Sequence, residues 1–307
     1  MTNVSVGYKP FSWTDHVPFT DLVNVVQKLE DTPRAFDPSF MGEWLLLPGR
    51  DPEANCLLAY NGDTLLGYIL VNQEGPIKRA VLEGGVLPAH RRKGIGTQLF
   101  YWALERGRQA GASIAHVAAL EDDTEQNVFL ERRGFSLVRQ HEQMRWNGDG
   151  IPEPNLPPGF VFRPFQFGDE AGLTEVQNAA FSTQWGFSPN TVEQVSHIVH
   201  MSRYDPEGVV LLLADEEVVG YCWTQTTGEA PQGVGCISMI GVHPKHQGKG
   251  LGRAALIYGM RSLLKRGIHI VELTVDRENT AAKKLYTSFG FVKMSGQKWY
   301  ETTLING

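Results

Sequence analysis

Gly241-Val-His-Pro-Lys-His-Gln-Gly-Lys-Gly-Leu-Gly252 is the stretch on which the reading of this chain turns. An apolar strand runs into His243-Pro244, a polar and basic turn follows, and a helix begins at the last glycine. A close echo stands 156 residues earlier, Gly85-Val-Leu-Pro-Ala-His-Arg-Arg-Lys-Gly-Ile-Gly96. Glycines let successive N–H groups turn inward around an anion, because no Cβ blocks the approach. The helix N-terminus adds the positive end of its dipole. The implied ligand is a phosphate or pyrophosphate. A P-loop is excluded, since Lys249 is followed by Gly250 rather than Ser or Thr. A dinucleotide fingerprint is excluded too, because Arg253 and Leu99 stand where its last glycine belongs.

Working outward, the whole chain repeats once. Tyr8-Lys-Pro-Phe-Ser-Trp-Thr-Asp15 answers Phe162-Arg-Pro-Phe-Gln-Phe-Gly-Asp169, and Leu65-Leu-Gly-Tyr68 answers Val218-Val-Gly-Tyr221. From the loop onward the offset holds at 156: Gly111 pairs with Gly267, and Gly134-Phe135 with Gly290-Phe291. Between the copies, 148–159 carries four prolines and three glycines, which deny it a helix or central strand. The sequence therefore predicts domains at 1–147 and 160–307, joined by an extended linker at 148–159. In the second copy, strands are expected at 160–163, 209–214, 218–224, 235–242 and 268–275, with 215–217 as a tight turn. Helices are expected at 169–181, 191–201, 252–266 and 280–289, and 291–294 and 299–303 close the copy. This alternation predicts an α/β (α+β) fold in which helices flank a mixed sheet.

Composition is that of a globular protein: 307 residues, 42% hydrophobic and 20% charged, enough for two cores. A net charge of -6 gives no basic excess for nucleic acid or anionic lipid. No apolar run approaches the ~20 residues of a membrane helix, and the first residues lack the pattern of a secretory signal. Three scattered cysteines, Cys56, Cys222 and Cys236, argue against a disulfide framework or zinc site and for a reducing, cytoplasmic location. No metal is expected.

The spacing [QR]-x-x-G-x-G/A, carried by Gln247, Gly250 and Gly252 and by Arg91, Gly94 and Gly96, resembles the pyrophosphate loop of the GCN5-related N-acetyltransferases (GNATs). Tyr286, Gly290 and Phe291 fit that family's Tyr-x-x-x-Gly-Phe ending. The repeat makes the chain similar to its tandem-domain members, two GNAT domains with splayed sheets. The resemblance implies acetyl-CoA as co-substrate, with no metal, and a small-molecule or peptide amine as acceptor. It implies that Gln247, Gly248, Lys249, Gly250, Leu251, Gly252 and Arg253 hold the pyrophosphate in the second copy, and Arg91, Arg92, Lys93, Gly94, Ile95 and Gly96 in the first. Strand backbone at Ile240 and Val242, and at Val86, would pair with the pantetheine amides, and Gly241 and Gly84-Gly85 would allow the close approach. Asn279 matches an asparagine that contacts the coenzyme; it suits a helix N-cap equally well.

The family places a tyrosine hydroxyl near the coenzyme sulfur, and here that residue is Tyr286. A phenol of pKa ~10 can protonate or hydrogen-bond a thiolate whose conjugate acid lies near ~8.5. The offset maps Tyr286 onto Leu130 and Asn279 onto Asp123, so the first copy keeps the loop and lacks the acid. Catalysis is therefore expected in the second copy, with the first structural or coenzyme-binding. The general base is not readable: Cys236, Ser238, His243, Glu272 and Asp276 are the candidates, Glu83 lies on the fourth strand of the acid-less copy, and His243 suits a turn. Where tandem relatives carry a fourth-strand glutamate in the active half, this chain has Cys236. Trp185 and Phe187, with His197 and His200 nearby, suit an acceptor pocket or simple loop packing. A non-catalytic acyl-CoA sensor is the alternative function, and a generic nucleotide-phosphate enzyme a weaker one, since no Mg²⁺-binding Ser or Thr follows either loop. A monomer is expected, its two copies paired about a pseudo-twofold axis.

Overall fold

The computed structural model describes residues 6–304 apart from Glu30, Asp31, Pro33 and Asp149. The chain divides into two compact units, Met1–Arg139 with Lys298–Gly307, and Gln140–Gln297.

The first unit contains β1 (Gly7–Pro10), α1 (His16–Gln27), α2 (Pro38–Leu45), α3 (Pro52–Asn55), β2 (Cys56–Asn61) and β3 (Thr64–Glu74). It continues with β4 (Arg79–Val86), α4 (Ile95–Gln109), β5 (Ile114–Leu120) and α5 (Thr124–Glu131). Strands β1 to β4 pair antiparallel in chain order. Strands β4 and β5 run parallel, and their register stops at Leu82 and Val117, so Glu83–Val86 has no partner on β5. Asp37 starts α2 by accepting the Phe40 N–H at 2.8 Å, with Pro38 at the first helical position, where a missing N–H costs nothing. Leu66, Leu99, Ala103 and Leu130 fill a core beneath α4 and α5, and Phe19, Leu45, Leu58 and Tyr68 fill another beneath α1 and α2.

The second unit repeats the pattern. β6 (Ser136–Asn147) enters it at Gln140, followed by β7 (Phe160–Pro164), α6 (Glu170–Phe181), α7 (Val192–Val199), β8 (Val209–Ala214) and β9 (Glu217–Thr227). β10 (Val234–Val242), α8 (Leu251–Lys265), β11 (Ile270–Asp276), α9 (Thr280–Ser288) and β12 (Val292–Thr303) complete the series. Asp215 and Glu216 both take positive φ, 47° and 71°, as the two-residue turn between β8 and β9 requires. Strands β10 and β11 run parallel only from Val234 to Ile237, and a bulge between Ile237 and Met239 kinks β10 there. Beyond the bulge β10 diverges from β11, which is the expected splay.

Two features differ from the sequence reading. Val292–Thr303 forms one twelve-residue strand, β12, where the sequence suggests two pieces at 291–294 and 299–303. The compact units also do not end where the repeats end. From Gln140, β6 lies antiparallel to β11, with Glu272 opposite Arg145, while Tyr300 and Leu304 sit in the core of the first unit. Each unit is therefore completed by the closing strand of the other repeat. The described residues of 148–159 are irregular as expected but docked: Arg261 Nη1 donates to the Ile151 carbonyl at 3.1 Å and its guanidinium pairs with Glu153.

Candidate functional site

In the second unit the loop between β10 and α8 is built as the glycines demand. Gly248 and Gly250 have φ of 78° and 80°, the left-handed region, and Gly250 is the N-cap of α8. A Cβ on Gly248, Gly250 or Gly252 would meet nothing within 4 Å, so the ground in front of the loop is open. The first helical bond runs from Ala254 N–H to the Gly250 carbonyl at 3.1 Å, leaving the N–H groups of Leu251, Gly252 and Arg253 without acceptors inside the helix. Exposed N–H groups, a positive dipole end and open space fit a pyrophosphate. Lys249 lies 5.6 Å from the Phe160 ring, and Arg253 stacks on Phe289 and donates to Ser288 Oγ at 3.2 Å.

The first position of the motif has a role that sequence reading missed. Gln247 Nε2 donates to the Val242 carbonyl at 3.0 Å, tying the loop back to the strand it leaves. Arg91 Nε makes the same tie to the Val86 carbonyl at 3.1 Å. An interchange of Gln and Arg is what such a donor allows, and this is the signal the sequence carried. The rest of the first loop copies the second: Gly94 caps α4 with φ 86°, ahead of buried Ile95, and Gly96 opens the helix. Arg92 takes φ 60° at the place of Gly248 and pairs with Glu125 at 3.2 Å, while Lys93 Nζ donates to the Ala89 carbonyl.

The strand glycines have packing reasons. A Cβ on Gly241 would come within 2.8 Å of Tyr221 and 2.9 Å of Ala180 on α6; one on Gly85 would meet Val26 at 2.3 Å. They let the first helix of each repeat lie close on the sheet. Ile240 packs against the core beneath α8 and α9, and Val242 is buried at the strand end.

Tyr286 belongs to that same core, 7% exposed, its ring 5.9 Å from that of Phe291. Burial, with nearby Cys222 adding to it, pushes the phenol pKa up to about 12, so it is a held proton at neutral pH. Its hydroxyl makes no hydrogen bond to the described residues. The equivalent Leu130 is buried in the first core, 1% exposed. Asn279 is an N-cap, accepting the Ala282 N–H at 3.1 Å, and Asp123 does the same for α5.

Several base candidates are occupied. His243 accepts the Lys245 N–H within its turn at 3.3 Å, and Asp276 accepts the Glu278 N–H. Glu272 is buried and held by Arg145 and Gln143. Ser238 sits exposed in the bulge and Cys236 is half-buried. Trp185 contacts the His141 ring at 6.2 Å, and His200 stacks on Phe167, which suits loop packing.

Beneath the first helices the two units differ. In the first, a cavity of about 30 Å³ is lined by Phe19, Val23, Trp44, Tyr68, Leu70 and Glu83 among others. Gln27 Nε2 donates to Glu83 Oε1 at 2.9 Å, and burial raises the carboxyl pKa against the opposing charge of Arg50. In the second unit, Gln177 Nε2, the hydroxyls of Tyr204 and Tyr221, and Trp223 Nε1 are buried without a partner among the described residues. Helical periodicity puts Gln177 on one face with Leu173, Val176 and Ala180, and gives no sign of the other three. Among the described residues no group of three or more His, Cys, Asp or Glu side chains is placed to hold a metal ion, and no helix is long and apolar enough to cross a membrane.

The sequence profile of the acetyltransferase (GNAT) family matches residues 22–135 and 171–291. A curated protein named mycothiol acetyltransferase from Streptomyces avermitilis is 32% identical over 271 residues, covering 86% of this chain and 85% of its own. A solved GCN5-related N-acetyltransferase from Sphaerobacter thermophilus is 25% identical with a TM-score of 0.73, covering 98% of this chain and 96% of that one. A tandem GNAT protein of the clavulanic acid biosynthesis pathway shares the fold at 17% identity and a TM-score of 0.73, covering 99% and 100%. With both repeats matched and relatives similar over nearly the whole length, the chain belongs to the acetyltransferase (GNAT) family and is an N-acetyltransferase.

Proposed function

We propose that catalysis resides in the second unit, which joins acetyl-CoA and a primary amine of a small molecule or peptide in one ternary complex. The observation that carries this reading is the pairing of an open anion loop with a buried tyrosine in that unit, where the first unit has the loop and Leu130. The N–H groups of Leu251, Gly252 and Arg253, with Lys249 and Arg253 side chains, hold the pyrophosphate. The β10 backbone at Ile240 and Val242, which has β9 on one side and no β11 partner on the other, receives the pantetheine amides. Asn279 keeps its capping role and borders the coenzyme.

Holding both reactants supplies about 7–11 kcal/mol of the barrier. The neutral amine attacks the thioester carbonyl, forming the C–N bond. As the C–S bond breaks, Tyr286 donates its proton to the departing thiolate, and the proton lost by the ammonium returns through solvent to the Tyr286 phenolate. The raised phenol pKa keeps that proton in place until charge develops on sulfur.

The first unit acts as a scaffold or a second coenzyme site. The relatives favour the enzyme over a sensing module. The test is a panel of primary amines incubated with acetyl-CoA while free thiol is followed. The panel is headed by the amine form of mycothiol, for which the curated relatives are named. Thiol release that depends on one class of amine supports transfer; no amine-dependent release across the panel would overturn it.

A further inference from the structure

The two closing strands carry opposite charges at matching places. Along the 156-residue repeat, Glu142 of β6 answers Lys298 of β12, and Arg145 answers Glu301. The surroundings that receive them differ in the complementary sense. In the second unit Glu142 pairs with Lys283 Nζ at 2.7 Å and lies 3.9 Å from Arg277 Nε. There Arg145 Nε donates to Glu272 Oε1 at 2.9 Å, and Gln143 Nε2 donates to the other oxygen at 3.0 Å.

The repeat puts Asn127, Glu121 and His116 of the first unit where Lys283, Arg277 and Glu272 stand in the second. There His116 Nε2 is 2.7 Å from Glu301 Oε2, and Arg79 Nη1 lies 3.4 Å from Nδ1 of the same ring. With Arg79 donating to Nδ1, the imidazole proton sits on Nε2 and is donated to Glu301. Burial holds the His116 pKa below its usual value, so this contact is more hydrogen bond than ion pair.

Suppose each closing strand lay instead in the unit of its own repeat. Glu301 would face Glu272, which is only 4% exposed, and Lys298 would face Lys283 and Arg277. Arg145 would face His116 and Arg79, and Glu142 would face Glu121. Three of these meetings become like-charged, and Arg145 would give up Glu272 for a neutral imidazole and for Arg79, whose carboxylate partner is Glu74; a buried charge without its opposite is strongly destabilising. We infer that Glu142, Arg145, Lys298 and Glu301 select the exchanged arrangement, acting as an address that assigns each closing strand to the other repeat's unit. The inference concerns strand choice and stands whichever amine the enzyme uses.

Cross-linking reads the outcome. Gln143 and Thr274 are directly opposite on β6 and β11, a spacing suited to a disulfide. With Gln143→Cys and Thr274→Cys in a Cys236→Ser background, refolding from urea and mild oxidation should give nearly complete cross-linking. Trading the four charges (Glu142→Lys, Arg145→Glu, Lys298→Glu, Glu301→Arg) should lower the cross-linked fraction by about 10-fold or more. Cross-linking at the parent level with an unchanged Tm would overturn the inference. Should that variant fail to fold, Arg145→Glu alone must reduce cross-linking and Arg145→Glu with Glu272→Arg must restore it. Failure of the reversed pair to recover over the single variant would equally overturn it.

Discussion

The two halves are built on one plan and equipped differently. Both hold an anion loop tied to its strand by a side-chain donor, Gln247 in one and Arg91 in the other. Below that loop they part. Tyr286 stands in the second unit where Leu130 stands in the first; Gln177 and Trp223 replace Val23 and Leu70; Met239 replaces Glu83. The first unit thus has a carboxylate beside an apolar cavity and a leucine at the tyrosine position, whereas the second has the tyrosine and several unpartnered buried donors. A scaffold can be duplicated whole while its chemistry is divided residue by residue.

The sharpest way to break this comparison is to place a negative charge in each loop. Gly250→Asp should abolish turnover, because the carboxylate opposes both the backbone donors and the dipole. Gly94→Asp should leave most of it, with circular dichroism confirming that both fold. The reverse result would put catalysis in the first unit. Next, Tyr286→Phe should lower kcat by about 10–10⁴-fold while calorimetry finds coenzyme affinity nearly unchanged, since the hydroxyl is needed as charge develops on sulfur. Full activity in that variant would remove Tyr286 from the mechanism. Titration with coenzyme A should then find up to two sites of unequal affinity; a single site lost on Gly250→Asp would make the first loop a relic.

The smallest effect is on stability. Burial raises the Glu83 carboxyl pKa above 4.5, so the fold favours its protonated form. That contribution is absent well above the folded pKa and complete below the unfolded one, so lowering pH from 7 toward 4 strengthens the native protein relative to Glu83→Gln. Thermal melts across that range would show the gap between the two Tm values shifting toward the parent as pH falls. A constant gap would mean that Glu83 titrates as freely in the fold as outside it.

Much of this was legible in the sequence for identifiable reasons. The loop was readable because glycine at positive φ has few substitutes, and the turn at Asp215-Glu216 because the chain must reverse within two residues. Tyr286 was singled out through the resemblance, and Leu130 at the matching place pointed to the second half. What escaped lay between elements distant in the chain. Alternation along β6 and β12 says which face is buried and nothing about which strand lies alongside, so the boundary at 147 looked natural. The sequence also does not reveal that a side chain at Gly241 would run into Tyr221 and Ala180, a packing reason for the glycine. The four orphaned donors come from α6 (Gln177), β9 (Tyr221 and Trp223) and the segment before β8 (Tyr204), and their meeting is a matter of tertiary packing.

The exchange of closing strands also bears on how the protein is made. Tyr300 and Leu304 fill the core of the first unit, and Arg108 Nε donates to the Leu304 carbonyl at 2.9 Å. A ribosome releases residues 6–139 long before residues 298–304, and at about 5–20 residues per second that interval lasts roughly 10–30 s. During it the nascent first unit has β5 without its closing strand, an open edge of the kind that invites wrong partners. The second unit suffers no such delay, because β6 is already out when β11 arrives. Translation thus finishes the later half first and returns to seal the earlier one.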